Sequence, residues 1–451
     1  MSRLPRMLTG SGIFARVLRG SAITAGSYAF AQLLRLASNL ILTRLLYPEA
    51  FGLMALVSVF MVGLMMFSDV GLGASISQNK RGDDPDFLNT AWTIQVARGA
   101  LLFLAMWALA WPAAQFFRAP DLAVLLPAVG LTLLTGGFAP TRIDTAHRHL
   151  MLGRVTLLDL ASQAIGIVSM VLIAWVWPSV WALVIGQNIG TLSKLWLVHM
   201  YLPGPKNRFQ WEPAAGRELI HFGKWIFLST ACGFLLFQGD KAILGAYMPL
   251  DQLGIYNIGY FLASFPVLLA QAVAGRVLIP LYRDSPPSAS ARNFARLRRL
   301  RCGLTAGVLA LLALLALGGV PLVDFLYDAR YAQAGAILVV VACAQMPLVI
   351  GMTYDQAALA AGDSRNFFWV VALKATVQTA TFLTGVHFGG LLGGLAAQGL
   401  TWVLVYPAVI WIARRHGAWD ALHDLGFAAL ALLAGGTALA LNWSAVLALA
   451  G

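Results

Sequence analysis

The sequence predicts an all-α polytopic membrane protein: two six-helix lobes related by a parallel pseudo-twofold repeat, plus about one extra C-terminal helix. Three observations carry that prediction. Hydrophobic residues make up 59% of the 451 and charged residues only 11%, against roughly 25% charged in an ordinary soluble protein. So few charges cannot clothe a water-soluble particle of this length. Second, the apolar runs are long and lack alternation, as in "GLTAGVLALLALLALGGVPLV" from Gly303. A spanning helix needs about 20 such residues, whereas a barrel strand needs roughly 9–11 that alternate, and helices satisfy their own backbone in lipid. Third, the second half of the chain faintly repeats the first.

Taken in order, residues 1–20 hold Arg3, Arg6, Arg16 and Arg19 and read as an amphipathic arm on the inner membrane face. The apolar stretch that follows, 21–46, is too long for a signal-peptide core. Spans are expected at 21–46, 51–78, 88–111, 121–141, 155–177 and 179–201, which form a first lobe over 21–201. A linker follows at 202–221. The second lobe, 222–413, has spans at 222–246, 254–280, 303–325, 333–357, 366–388 and 391–413. Residues 414–451 supply one more, at 423–441, and the closing "NWSAVLALAG" is too short to cross again. The longest loop expected is 281–302.

Lys and Arg counts on alternate sides test this topology. With the N-terminus inside, 22 lie in cytoplasmic segments and three (Arg118, Lys241, Arg330) on the opposite side. The net charge of +12 is thereby explained without nucleic acid as a partner. Three widely spaced cysteines, Cys232, Cys302 and Cys343, offer neither a disulfide framework nor metal-ligand spacing.

The repeat shows in "LYPEAFGL" (46–53) against "MPLDQLGI" (248–255), which aligns Pro48 with Pro249 and Gly52 with Gly254. "DTAHRHLMLGR" (144–154) matches "DQAALAAGDSR" (355–365), and Gln187 matches Gln398, both at an offset of 211. Six spans is an even number, so both halves enter the membrane with the same polarity. That arrangement places the repeat axis along the membrane normal, as in some secondary transporters.

Charges near the bilayer centre cost roughly 2.5–3.5 kcal/mol on insertion scales, so they face a cavity or a partner. Arg35, Arg98 and Lys374 fall midway along their spans. Gln32, Arg35 and Asn39 share one side of the first span, and Lys374, Gln378 and Thr381 repeat that spacing in the eleventh. These are the candidate cavity residues for a substrate, with structural pairing as the alternative. Polar stripes also serve as interhelical hydrogen-bond glue. Lys194 sits where it snorkels to the surface. Asp240, Lys241, Asp144 and Asp355 are the gating or coupling candidates. The central charges are mostly cationic, which favours an anionic ligand such as a diphosphate, because guanidinium forks match phosphate oxygens. No Walker-type loop, HExxH or paired CxxC is present. With no large loop or soluble domain, the chain is not expected to be an enzyme. No metal or other cofactor is expected, and coupling to H⁺ or Na⁺ is left open.

"LTRLLYPEAFGLMALVSVF" (42–60), "FSDVGLGASISQ" (67–78) and "FLNTAWTIQVARGALLF" (87–103) resemble the opening spans of bacterial polysaccharide flippases. "DKAILGAYMPLDQLGIYNIGYFLASFP" (240–266) resembles the corresponding part of their second half. These proteins belong to the multidrug/oligosaccharidyl-lipid/polysaccharide exporter superfamily, and the likeness is to its exopolysaccharide branch. The resemblance implies two six-helix lobes around a cavity, alternating access, and cavity cations that meet a diphosphate. It implies translocation of undecaprenyl-diphosphate-linked oligosaccharide repeat units from the inner to the outer leaflet of the bacterial inner membrane. It also implies membrane lipids, a polysaccharide polymerase and chain-length or export proteins as partners. A cation-coupled multidrug antiporter and a peptidoglycan lipid II flippase are the alternatives. The basic run "ARNFARLRRLR" (291–301) reads as a segment lying on anionic headgroups, or as a docking site for a partner.

Overall fold

A computed structural model describes residues 13–69, 71–149 and 151–450. Part of the N-terminal arm therefore lies outside the described residues. In chain order the helices are α1 (Ile13–Leu45), α2 (Pro48–Phe67), α3 (Leu72–Gln78), α4 (Pro85–Phe116), α5 (Leu122–Gly137), α6 (Arg142–Arg148), α7 (Leu152–Val176) and α8 (Val180–Tyr201). After an extended segment come α9 (Pro213–Tyr247), α10 (Leu250–Asp284), α11 (Ala291–Leu326), α12 (Gln333–Gly351), α13 (Asp355–Ala360), α14 (Ser364–Arg415), α15 (Ala421–Leu441) and α16 (Trp443–Leu447). No strand occurs among the described residues. By length and composition, eight described helices can cross a membrane, or nine if the bent pair α5–α6 counts as one span.

The order of helices in the second half parallels the first, which is consistent with the repeat. Both halves also break at the same place. In the first, α5 stops at Gly137 and α6 leaves at 59°. In the second, α12 stops at Gly351 and the six-residue α13 follows.

Four boundaries differ from the sequence expectation, each for a local reason. The expected span 51–78 is interrupted after Phe67. There the Asp69 carboxylate accepts the Gly71 N–H at 2.9 Å, and Gly71 takes the left-handed conformation, φ 64°, which a side chain would resist. The expected spans 366–388 and 391–413 run on as α14, joined by non-helical backbone at Gly389 and Gly390. α9 begins at Pro213, inside the expected linker. Most of the expected loop 281–302 is helical, because α10 continues to Asp284 and α11 starts at Ala291. Ser290 caps α11 by accepting the Asn293 N–H at 3.1 Å.

The chain divides into two compact units, residues 1–46 with 56–231 and residues 47–55 with 232–451. In the first, α5 packs between α4 and α8. Glycines permit that closeness: a Cβ on Gly99 of α4 would lie 2.9 Å from the Gly137 Cα of α5. In the second, α12 is the central helix, packed by α10, α11, α14 and α15, with Leu338, Val339 and Val341 fully buried. The start of α2 belongs to this second unit. A Cβ on Gly52 would collide with the Leu250 carbonyl, and one on Gly254 with the Pro48 carbonyl. The two glycines matched by the repeat thus line one reciprocal contact.

Candidate functional site

The first unit holds a cavity of about 400 Å³ among α2, α4, α5, α8 and the α5–α6 break, within the roughly 300–1,000 Å³ range of small-molecule sites. Its walls are mixed. Met61, Met65, Leu102 and Leu133 are apolar, whereas Gln95, Arg98, Thr132, Gln187, Thr191 and Lys194 are polar or charged.

Arg98 stands about 20 Å along α4, counting 1.5 Å per residue from Pro85. Its guanidinium is oriented from one side, since Nε donates to Ser68 Oγ at 2.9 Å and Nη2 to the Met65 carbonyl at 2.8 Å. The Met65 carbonyl is among the last of α2, which lack partners within the helix, and Ser68 directly follows that helix. Lys194 enters from α8, and Asp159 of α7 takes its ammonium at 2.8 Å. The break at 138–141 is held by α4. Gln95 Nε2 donates to the Gly136 and Ala139 carbonyls at 3.3 and 3.0 Å, and Trp92 Nε1 reaches the Phe138 carbonyl at 3.4 Å. Such bonds are needed wherever backbone leaves the helical pattern at membrane depth. The result is a compact pocket lined by two cations, one of them paired with Asp159, and a set of amides and hydroxyls, suited to an anionic, hydrogen-bonding ligand.

In the second unit several of the charged groups close on each other. Lys374, 6% exposed, donates to Asp355 at 2.7 Å, so a substrate candidate and a coupling candidate form one ion pair. One turn on, Gln378 Nε2 donates to the Leu236 carbonyl at 3.1 Å. Asp240 is buried and receives the Tyr256 hydroxyl. Lys241 bonds Gln238 at 3.4 Å and lies over the Tyr260 ring at 5.8 Å. A second network ties α15 to α11: Tyr354 donates to Asp424 at 2.7 Å, His423 links Asp424 (2.8 Å) to Thr305 (3.1 Å), and Arg298 pairs with Asp420 at 2.9 Å. Arg301, 1% exposed, donates to the Ala418 carbonyl beneath the Tyr354 ring.

The remaining candidates are apart from these clusters. Gln32 is buried, Asn39 half-buried and Arg35 exposed, so the stripe on α1 does not share one environment. Gln163 of α7 donates to the Ala31 carbonyl beside it at 3.0 Å. Asp144 lies against Gly73, where a Cβ would approach its carboxylate to 2.9 Å. Among the described residues no group of three or more metal-ligating side chains occurs. Gln95 and Thr191 escaped the sequence reading, and Asp159, an acid within the expected fifth span, and Gln187 were not read as site residues. Only the Gln187–Gln398 match hinted at one of them.

This all-helical architecture, with eight described helices long and apolar enough to cross a membrane, is that of a multi-pass membrane protein. The chain belongs to the family described as "Polysaccharide biosynthesis protein", which it matches over residues 41–335. It is 23% identical over 374 residues to the succinoglycan biosynthesis transport protein ExoT of Rhizobium meliloti, covering 82% of this chain and 73% of that one. The teichuronic acid biosynthesis protein TuaB of Bacillus subtilis is 21% identical, over 75% of this chain and 72% of its own length. Among solved structures, the lipid II flippase MurJ in an inward closed conformation superimposes with a TM-score of 0.67 at 13% identity, covering 91% of each chain. A MATE transporter of Vibrio cholerae gives 0.61 at 15% identity, over 90% of this chain and 98% of its own.

Proposed function

We propose that this protein flips lipid-linked oligosaccharide repeat units, carried on undecaprenyl diphosphate, from the inner to the outer leaflet of the bacterial inner membrane for exopolysaccharide or surface polysaccharide synthesis. The observation that carries this reading is the pocket in the first unit, where Arg98 and Lys194 line one cavity beside amide and hydroxyl groups. A diphosphate and several sugars cannot cross about 30 Å of hydrocarbon without a hydrated, cationic path. Arg98 is the first phosphate ligand in this scheme, and Lys194 becomes available as the anion competes with Asp159. Arg35 adds a cation without an ion pair among the described residues. The lipid tail stays in the bilayer. Two lobes alternate access, and each opening differs in its affinity for the cargo. The names of the succinoglycan and teichuronic acid relatives support a polysaccharide cargo.

The fold is shared with multidrug transporters, so the pocket's charge is what favours the flippase over a cation antiporter. Asp240, with Tyr256 bonded to it, is the candidate for any H⁺ or Na⁺ coupling, and the Lys374–Asp355 pair for gating. The basic ends of the helices face the cytoplasm in this scheme, with the polymerase and export proteins acting beyond the outer leaflet.

The test is chemical. In a deletion strain, completed repeat units on undecaprenyl diphosphate accumulate on the inner leaflet, and the wild-type gene reverses this, whereas Arg98→Gln with Lys194→Gln does not. Unchanged lipid-linked pools together with intact surface polysaccharide in the deletion strain would refute the flippase and favour the antiporter.

A further inference from the structure

The basic run at the start of α11 performs two separate tasks on two faces. Arg301 is buried and donates to the Ala418 carbonyl, and Arg298 pairs with Asp420. Both are engaged by the protein, Arg301 fully buried and Arg298 half-buried against Asp420. Arg292, Arg296 and Arg299 are exposed and follow the i, i+4, i+7 spacing of a single helix face.

That face continues without a break into the apolar part of the helix. Gly303, Ala306, Ala310, Leu314 and Leu317 lie on it and are exposed, Leu314 by 67%. The opposite face, through Leu297, Thr305, Val308, Leu312 and Ala316, is buried along the same length. In a spanning helix, an exposed apolar stripe of this kind faces acyl chains. The 36 residues of α11 extend about 54 Å, well beyond the roughly 30 Å hydrocarbon core. The excess is at the arginine end, so the side that touches acyl chains touches headgroups one to three turns earlier.

We propose that Arg292, Arg296 and Arg299 form a binding ladder for anionic phospholipid of the adjacent leaflet, each guanidinium taking headgroup phosphate oxygens. Their continuity with the acyl-facing stripe selects lipid as the occupant, and their charge selects an anionic one. Each basic side chain at an anionic surface contributes roughly five-fold in affinity, so the three together give on the order of 100-fold, screened by salt.

The experiment measures lipid retained by the purified full-length protein, by native mass spectrometry, after exchange from detergent containing phosphatidylglycerol or phosphatidylcholine. Thermal midpoints are measured in parallel. Wild-type protein retains phosphatidylglycerol and gains thermal stability from it, and loses both at 0.5 M salt. The Arg292→Gln/Arg296→Gln/Arg299→Gln variant keeps its midpoint in phosphatidylcholine but loses the phosphatidylglycerol response. The corresponding Lys variant keeps most of it. Arg298→Gln lowers the midpoint in both lipids alike. Undiminished phosphatidylglycerol retention in the triple Gln variant overturns the proposal. So does a triple Gln variant that loses only added undecaprenyl diphosphate, since the ladder would then serve the cargo. Neither result bears on whether the first-unit pocket flips lipid-linked sugar.

Discussion

The two units handle the same problem, polar groups at membrane depth, in opposite ways. At its helix break the first unit leaves a cavity, with Arg98 and Lys194 in the wall and Gln95 holding the loosened carbonyls. The second unit seals its break, because Asp355 opens α13 against the ammonium of Lys374. At the repeat offset of 211, Asp355 corresponds to Asp144, but Lys374 corresponds to Gln163, which bonds the Ala31 carbonyl instead. One changed residue type therefore separates a closed ion pair from an acid with no lysine across from it. Under the proposed function, ligand chemistry belongs to the open side and rigidity to the closed one.

Substitutions can break this contrast, and the largest loss of stability is expected on the sealed side. Arg301→Ala removes a buried guanidinium, its bond to the Ala418 carbonyl and its stacking on Tyr354. The expected cost is roughly 3–5 kcal/mol, read as a large fall in the thermal midpoint in detergent. Lys374→Met leaves Asp355 unpaired. Because Asp355 keeps 22% of its side-chain exposure, the cost is about 2–3 kcal/mol, below that of a fully buried pair. Adding Asp355→Leu recovers most of it, whereas equal instability of the single and double variants would show that the pair is not what closes the break.

On the open side, Gly137→Val drives a side chain into α4 at Gly99, costing about 1–3 kcal/mol and distorting the pocket while leaving its charges intact. Lipid-linked intermediates then accumulate even though Arg98 is present. Arg98→Gln forfeits two hydrogen bonds to Ser68 and Met65 and lowers stability by only about 1 kcal/mol, yet cuts transport at least roughly ten-fold if one phosphate contact is lost. Transport at wild-type rate would remove Arg98 from the cargo path.

The smallest effect is a response to acid. Arg81, through its bond to Asp84, holds that carboxyl below the ordinary carboxylate range. A depressed value means that the clamp's contribution is complete above the unfolded pKa of about 3.9 and is lost as pH falls through the folded one. Both partners keep about a third of their side-chain exposure, so the loss is slight. It is read as faster proteolysis of residues 204–212 in strongly acidic buffer, and Arg81→Gln abolishes the pH dependence.

How much of this was legible in the sequence depends on the range of the interaction. Apolar runs marked where the long helices lie, although the ends at Phe67, Pro213 and Ala291 fall well away from the expected ones, and the gap between expected spans at 389–390 marked the kink of α14, since these are local signals. The basic stretch 291–301 falls in the expected loop 281–302, as a segment lying on headgroups or a docking site, whereas Ser290 capping and a buried Leu297 make it the start of a continuous helix. Arg98 stood out by its depth. Lys194 did not, because its partner Asp159 lies 35 residues away on another helix. Nor did the sequence show that Lys374 and Asp355, read as separate candidates, neutralise each other. The Gly52 and Gly254 motifs were found as a repeat, but only the structure shows that they touch.

The extended segment before α9 has a mechanical consequence. Alternate backbone groups of residues 208–212 are fastened to α4: the Arg208 N–H to Asn89 at 3.1 Å, the Gln210 N–H to Thr93 at 3.1 Å and the Glu212 N–H to Thr90 at 3.0 Å. Glu212 is also gripped by Arg81 at 2.7 Å, and Asn207 by Thr141. A free chain of ten residues would offer up to about 35 Å of reach. Fastened at every second residue, it offers no slack. The start of α9 is thus tied to α4 within the first unit, with no free loop between them. A polypeptide cut at Gly204 would leave the fragment that begins there still moored by its own hydrogen bonds.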